Sequence, residues 1–211
     1  MARRTYAGET GDERRERRRA AFMEAALDLV AGSDLVGGWD RVTVRAACAA
    51  ARLNDRYFYE SFADRDALLL ATRDHVAAGA LRALRAAIEG TKPDERIRAV
   101  VVAVIDFFSV DPRRGRLMFD PHPALLGRRR EMLATLSRIV ADQSTEILGD
   151  RAAAAADREL GALTLVSGTM EVFAGWLRGE VDVTRAHLAD FLVAMIPTTG
   201  DLSAALERER G

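Results

Sequence analysis

One stretch, residues 43–68, constrains the fold of this chain more than any other, because its spacing describes two short helices joined by a tight turn. Thr43 suits the N-cap of the first helix, and Asn54 suits the N-cap of the second. Phe58 and Phe62 lie four residues apart, so they share the inward face of the second helix. The polar residues at the start of that helix are therefore expected to face outward, towards a partner.

A short helix presented in this way fits the major groove of duplex DNA. The candidates for contacts to base edges are Asn54, Asp55, Arg56 and Tyr57. Arg suits guanine O6 and N7, and Asp accepts from cytosine N4, so we expect a preference for sites that contain G·C pairs. For Tyr57 the alternative is packing against helix 1. The candidates for phosphate contacts are Thr43, Tyr59 and, at the start of the preceding helix, Arg45.

The same stretch resembles the DNA-binding domain of TetR-type transcriptional regulators, whose pattern is roughly T-V-R-x-I-A-x-x-A-G-V-S-x-x-x-F-Y-x-x-F-x-S-K-x-x-L. The residues that match it without a gap are Thr43, Val44, Arg45, Cys48, Ala51, Leu53, Asn54, Phe58, Tyr59, Phe62, Asp64, Arg65 and Leu68. Upstream, Gly38–Asp40 and Ala26–Val30 match the approach to the second helix and the first helix of the family. The resemblance covers about the first third of the chain. It implies that Arg65, which stands at the family's Lys, contacts a phosphate.

Two departures from the family pattern concern turns. Arg52 stands where the family usually has Gly, and a non-Gly residue in a left-handed turn costs about 1–2 kcal/mol. The link between helices 1 and 2, from Gly32 to Gly38, is a few residues longer than the pattern.

The net charge of -1 gives no global basic field, so DNA binding has to rest on local charge. Residues 1–19 contain seven Arg and four acidic residues, a local charge of +3. Residues 1–12 are interpreted either as a basic arm that reaches phosphates or as a solvated terminus. Helix 1 is predicted over Glu13–Ala31, and five arginines lie in its first turns, where positive charge is unfavourable because of the helix dipole. Either DNA phosphates or local Glu partners explain why arginines stand there. The five arginines are Arg14, Arg15, Arg17, Arg18 and Arg19.

The remainder of the chain is also predicted to be helical, which gives an all-α fold of about nine to ten helices. Gly90 ends a helix that begins at Asp64, and Pro93 begins the next. Residues 99–108 are apolar all round except Asp106, so this helix is expected to be buried. We predict a DNA-binding domain over residues 1–65 and a C-terminal helical domain for effector binding and dimerisation over residues 66–211.

Three glycines, Gly161, Gly168 and Gly175, repeat every seven residues along one predicted helix and line one of its edges. The same helix carries an apolar stripe formed by Leu163, Val166, Met170, Phe173 and Leu177. The segment Trp176–Val183 resembles the link between the last two large helices of TetR-type proteins. The resemblance implies that helices near 153–178 and 184–196 pair with their copies in a homodimer; the alternative for the glycines is close packing within one chain.

The resemblance further implies a small-molecule pocket among the C-terminal helices, whose occupation changes the spacing of the two DNA-binding heads. The candidate lining residues are Phe107, Phe108, Met118, Phe119, Met132, Phe173 and Trp176. For each of them a place in the ordinary core is the alternative. These side chains favour an apolar effector.

Several other classes of protein find no support in the sequence. There is no phosphate-binding loop, dinucleotide-binding glycine pattern or metal-binding motif, so we expect no cofactor, no metal site and no catalysis. The single cysteine, Cys48, is interpreted as a small buried residue, with a redox sensor as the alternative. No apolar run approaches the roughly 18–20 residues needed to span a bilayer, so a cytoplasmic protein is expected.

The combined interpretation is a transcriptional repressor that binds a near-palindromic operator as a homodimer, since two heads about 34–36 Å apart read two half-sites. A small apolar molecule in the C-terminal domain is expected to release the operator. The alternatives are an all-α enzyme that uses the C-terminal domain and a DNA-binding protein without an effector.

Overall fold

The computed structural model describes residues 10–32, 38–119, 122, 125–148 and 155–198, which form ten α-helices and no β-strand. The all-α prediction is confirmed. The chain divides into two compact units, Met1–His75 and Val76–Gly211, and the division falls within one helix, α5. Most of the predicted arm, most of the long link after Gly32 and the predicted last helix over 201–211 lie outside the described residues.

The first unit begins with four helices and the first half of a fifth. They are α1 (Gly11–Ala31), α2 (Gly38–Arg41), α3 (Val44–Ala51), α4 (Asp55–Ser61) and α5 (Arg65–Ile88). α1 starts two residues before the predicted Glu13, because Thr10 caps it reciprocally: the Thr10 hydroxyl accepts from the Glu13 N–H, and the Glu13 carboxylate accepts from the Thr10 N–H. This hydrogen bonding lowers the pKa of Glu13. The one-turn helix α2 was not predicted.

The core of the first unit forms where α1 packs against α2, α3 and α4. The fully buried Phe22 ring of α1 meets Phe58 edge-on at a centroid distance of 5.4 Å and Phe62 at 6.3 Å. Trp39 of α2 is also fully buried. Burying a large apolar side chain contributes about 1.5–3 kcal/mol, so these contacts fix which face of α4 points inward.

The second unit contains the rest of α5 and five further helices. They are α6 (Pro93–Val110), α7 (Pro112–Met118), α8 (Leu126–Leu148), α9 (Ala155–Leu177) and α10 (Arg185–Thr198). α8 packs along α9, and α6 contacts α7, α8 and α10. Gly90, with φ of 74°, follows the end of α5, and Pro93 occupies the first turn of α6, as the sequence predicts.

The expectation that α6 is buried all round is wrong. Within residues 99–108, Val101, Ile105 and Phe108 form one buried stripe, while the other residues are only half-buried. On another side Asp106 pairs with Arg185, and Arg98 pairs with Asp190 at 3.0 Å, so α10 is held to α6 by ion pairs as well as by apolar contact. The neighbouring helices therefore cover only part of this helix.

The apolar stripe of α9 is buried over only part of its length: Val166 and Phe173 are buried, whereas Leu163 is exposed. The segment Ala156–Leu177 is long and apolar enough to cross a membrane on length and composition alone, contrary to the sequence-based expectation. That criterion is weak, because the core helix of a helical bundle also meets it; α9 packs against α7 and α8, and its Glu171 pairs with Arg129 at 2.8 Å.

Candidate nucleic-acid interface and aromatic cluster

The turn between α3 and α4 keeps the left-handed geometry that the family pattern gives to glycine. Arg52 has φ 54° and ψ 39°, and its N–H donates to the carbonyls of Cys48 and Ala49. The substitution of Arg for Gly therefore leaves the turn in place at a cost of conformational strain. α4 consequently follows α3 with the spacing of a helix-turn-helix.

Side-chain caps fix the start of both helices. The Thr43 hydroxyl accepts from the Ala46 N–H at 3.1 Å, and the Asn54 amide oxygen accepts from the Tyr57 N–H at 3.1 Å. Capping uses the acceptor of Thr43 but leaves its hydroxyl proton available to a phosphate. In the same way, the amide NH₂ of Asn54 remains available for a base edge.

The outer surface of α4 carries the predicted base-contacting residues. Asn54, Asp55 and Arg56 are exposed, and Tyr59 exposes 62% of its surface. Phe58, in contrast, is fully buried. Arg45 is exposed on α3. The structure thus brings these polar groups to one helix-turn-helix surface.

Tyr57 differs from its neighbours because its ring is packed against α1. The Arg18 guanidinium lies 4.4 Å from the ring centroid, and Tyr57 is half-buried. This is the packing alternative to a base contact. Arg19, the next residue of α1, donates to the Ser61 carbonyl at 2.6 Å and lies over Phe62. Two of the five arginines of helix 1 therefore hold α4, a role that the sequence did not indicate.

Carboxylates lie beside several of the cationic groups on this surface. Glu60 accepts from Arg56 Nε at 3.1 Å and lies 3.6 Å from Arg18. Arg65, predicted to contact a phosphate, is half-buried, with its Nε 3.0 Å from Asp66 and its Nη2 3.7 Å from Asp40. Each arginine has to exchange a carboxylate for a phosphate if it binds DNA.

Cys48 lies half-buried on α3. Burial, and secondarily the Asp55 carboxylate, raises the pKa of its thiol. A raised pKa disfavours the reactive thiolate, so these surroundings favour the structural interpretation over a redox sensor. Among the residues that the structure describes, no group of three or more His, Cys, Asp or Glu is arranged to hold a metal ion.

The second unit brings five of the seven predicted effector-binding residues into one group, which we call the aromatic cluster: Phe107, Phe108, Phe119, Phe173 and Trp176. Phe108 is central, with centroid distances of 5.1 Å to Phe107, 5.7 Å to Phe119 and 5.6 Å to Phe173. Phe173 stacks on Trp176 at 5.9 Å. Helices α6 and α9, together with the residue that follows α7, supply these rings.

The two methionines of the predicted set are placed differently. Met118 is buried at the end of α7, and Met132 is half-buried on α8.

The indole N–H of Trp176 donates to the Val183 carbonyl at 2.9 Å. The link that follows α9 is thereby tied to the aromatic cluster.

Phe107 connects the aromatic cluster with α5. A Cβ placed on Gly79 would come within 2.9 Å of the Phe107 ring, so the helix approaches this ring more closely than any other residue type allows. The Arg114 guanidinium lies 4.4 Å from the centroid of the Phe107 ring, and it donates to the Phe107 carbonyl at 2.9 Å. Neither Gly79 nor Arg114 was singled out from the sequence.

The contacts that were not predicted differ in whether the local sequence indicated them. Arg56 and Glu60 are four residues apart on one helix, so their pairing was open to sequence reasoning. Arg19 and Ser61 are 42 residues apart, and Arg129 and Glu171 are also 42 apart. No local pattern reports such contacts.

Comparison with known proteins places the fold. No family model matches the chain, and no curated protein sequence matches it. The structure is similar to a TetR-like transcriptional regulator from a Rhodococcus species, with a TM-score of 0.68, 21% identity and coverage of 85% of this chain and 93% of the other. It is also similar to a putative transcriptional regulator from Pseudomonas aeruginosa, with a TM-score of 0.72, 20% identity and coverage of 92% and 94%. It is likewise similar to a TetR-family transcriptional regulator from Streptomyces coelicolor, with a TM-score of 0.70, 20% identity and coverage of 92% of this chain and 85% of the other.

Proposed function

We propose that this chain, which has the fold of the TetR-type transcriptional regulators, is a repressor that binds a near-palindromic operator as a homodimer and releases it when a small apolar molecule binds. One observation carries the proposal: the start of α4 exposes Asn54, Asp55 and Arg56 while Phe58 anchors the opposite face. A helix exposed in this way enters a major groove. Residues 1–65 read DNA, and residues 66–211 bind the effector and dimerise.

The exposed residues divide between positioning and base recognition. Thr43, Arg45, Tyr59 and Arg65 contact phosphates and set the register. Asn54, Asp55 and Arg56 read base edges, and Tyr57 contributes its hydroxyl group from the stacked ring. An arginine at guanine O6 and N7 contributes discrimination of about 1–3 kcal/mol at one base pair.

Selection of bound duplexes from a random pool, followed by anisotropy titration, tests DNA recognition. Arg56→Ala should weaken binding to the selected site by about 1–3 kcal/mol and relax the preference at one position. Arg45→Ala should weaken binding to every sequence by a similar factor. Arg130→Ala, which removes an exposed arginine of α8, is the matched control. Failure of the wild-type protein to enrich any duplex contradicts the proposal.

The homodimer is proposed to form through α9 and α10, because these helices leave large apolar side chains exposed. Leu160 and Leu163 on α9 and Phe191 on α10 are exposed, and a Cβ on Gly168 would meet nothing within 4 Å. A patch of this kind marks an interaction surface. Sedimentation equilibrium should show a dimer that Leu163→Glu weakens; Val110→Glu, at an exposed apolar position on α6, is the control. A monomeric wild-type protein at micromolar concentration contradicts the interface.

The aromatic cluster is proposed as the effector site. Its rings offer apolar and aromatic surface, and Trp176 supplies a fluorescent reporter within the group. Compounds that quench or shift tryptophan emission should also release the operator duplex, and Trp176→Phe should remove most of the optical signal that arises in the cluster. Compounds that bind without altering DNA affinity favour a protein without an effector response.

The coupling between effector and DNA is proposed to run through Phe107. A ligand that displaces this ring acts directly on α5 at Gly79, and α5 is the helix that begins at Arg65. Coupling of this kind typically amounts to about 1–3 kcal/mol. Gly79→Ala, which pushes on the Phe107 ring from the helix side, should change the effector concentration required for release while leaving the selected operator sequence unchanged.

A further inference from the structure

We infer that the Glu60 carboxylate is an internal counter-anion of the DNA-binding surface. It pairs with Arg56 and lies beside Arg18, and so it reduces the positive charge that these arginines offer to phosphates until DNA competes for them. The inference rests on the function proposed above. Glu60 limits DNA affinity, whereas the residues named above supply it.

The geometry joins one carboxylate to two helices. Glu60 Oε1 accepts a hydrogen bond from Arg56 Nε at 3.1 Å, within α4. Glu60 Oε2 lies 3.6 Å from Arg18 Nη2, on α1. Each oxygen of the carboxylate therefore faces a different guanidinium.

The exposures of the three side chains show which partner is able to leave. The Arg56 side chain is 81% exposed, whereas Arg18 is 21% exposed and Glu60 33%. Arg18 is also fixed by stacking on the Tyr57 ring at 4.4 Å. Exposed ion pairs are weak, so Arg56 is able to turn towards a phosphate or base while Arg18 stays beside Glu60. The exchange requires no change in the helices.

The net charge of α4 opposes DNA binding. The helix carries Asp55, Arg56 and Glu60, which is one positive and two negative charges, or a net −1. Phosphates repel a helix of net negative charge, and the pairing of Arg56 with Glu60 further reduces the attraction that Arg56 supplies. Because phosphate attraction does not depend on sequence, removing the Glu60 charge should strengthen binding to every duplex.

The test is Glu60→Gln, which keeps the size of the side chain and removes its charge. Anisotropy titrations with a selected operator duplex and a scrambled duplex of equal length should show affinity increased about three- to tenfold on both at low salt. The slope of log affinity against log salt should steepen by up to about 1, because Glu60 no longer offsets the positive charge of Arg56 near the phosphates. Glu60→Ala, which removes the same charge, should change affinity in the same direction.

Two controls separate this mechanism from a general change of charge or fold. Glu89→Gln removes the same charge from the exposed turn after α5 and should leave affinity within about twofold. In an Arg56→Ala background, Glu60→Gln should give a smaller gain than in the wild type, because one of the released groups is absent. Thermal melts should show both Glu60 variants folded.

The outcomes are distinguishable. Wild-type binding that Glu60→Gln leaves unchanged in affinity and salt slope overturns the inference alone. Weaker binding by Glu60→Gln also overturns it, because Glu60 would then orient Arg56 rather than compete for it. Absence of binding by wild type and variant to every selected duplex overturns the proposed function and the inference with it.

Discussion

The guanidinium of Arg19 donates a hydrogen bond of 2.6 Å to the backbone carbonyl of Ser61, the last residue of α4. It also lies 4.3 Å over the ring of Phe62. The end of a helix carries partial negative charge, so a cation is favourable there. Arg19 of α1 thus supports the helix that presents the residues proposed to contact DNA.

Arg19→Ala should reduce the free energy of unfolding of the first unit by about 1–2 kcal/mol, because it removes a charge-assisted hydrogen bond and a cation–π contact. Denaturant titration followed by circular dichroism measures the loss. Arg15→Ala, at an exposed position of the same helix, should change stability by less than about 0.5 kcal/mol. Equal effects of the two substitutions would show that the contact with Ser61 contributes nothing specific.

Arg52→Gly should increase stability by up to about 1 kcal/mol. The left-handed conformation of Arg52 is strained for an L-residue, and glycine removes that strain at a smaller cost in unfolded-chain entropy. Arg52→Ala keeps the strain and serves as the matched control for loss of the side chain. The urea midpoints of the three proteins provide the comparison; a less stable Gly variant would mean that the Arg side chain itself stabilises the turn.

Gly38→Ala should destabilise the first unit by about 1–3 kcal/mol, the usual cost of overpacking. An added Cβ would lie 2.5 Å from the Val30 carbonyl oxygen, which is backbone and unable to move aside easily. Gly127→Ala places its methyl group in open space near the start of α8 and should be neutral or stabilising by up to about 1 kcal/mol. The pair of thermal melts tests the geometry, since a well-tolerated Gly38→Ala is incompatible with this close approach of α2 and α1.

The stability of the second unit should depend on pH through Asp111, which caps α7. A hydrogen bond from Arg113, opposed by burial and aided by the charge of Arg113 and Arg114, lowers the pKa of Asp111. A lowered folded-state pKa contributes stability above the unfolded value, about pH 4, and this contribution is lost as pH falls through the folded-state pKa. Asp111→Asn keeps a capping oxygen but removes the charge. Urea titrations should show the variant less stable near pH 7, with the difference shrinking below about pH 4; a difference that does not depend on pH would exclude the charge as its cause.

Local physical chemistry made much of the helix-turn-helix accessible from the sequence. Caps act within three residues, and Thr43 and Asn54 cap their helices as predicted. The four-residue spacing of Phe58 and Phe62 sets their common face, and both are buried. Gly90 and Pro93 mark helix boundaries for equally local reasons.

The sequence by itself therefore determined an all-helical chain, the positions of its main helix ends and the outward face of α4, since each depends on residues close together along the chain. Only the tertiary structure decided that Arg18 and Arg19 bind α4, that Glu60 stands between two arginines, and that α6 is buried along a single stripe. It also decided that Phe107 touches α5 at Gly79. Such contacts join residues tens of positions apart, and their partners are set by how whole helices pack, which no local spacing encodes.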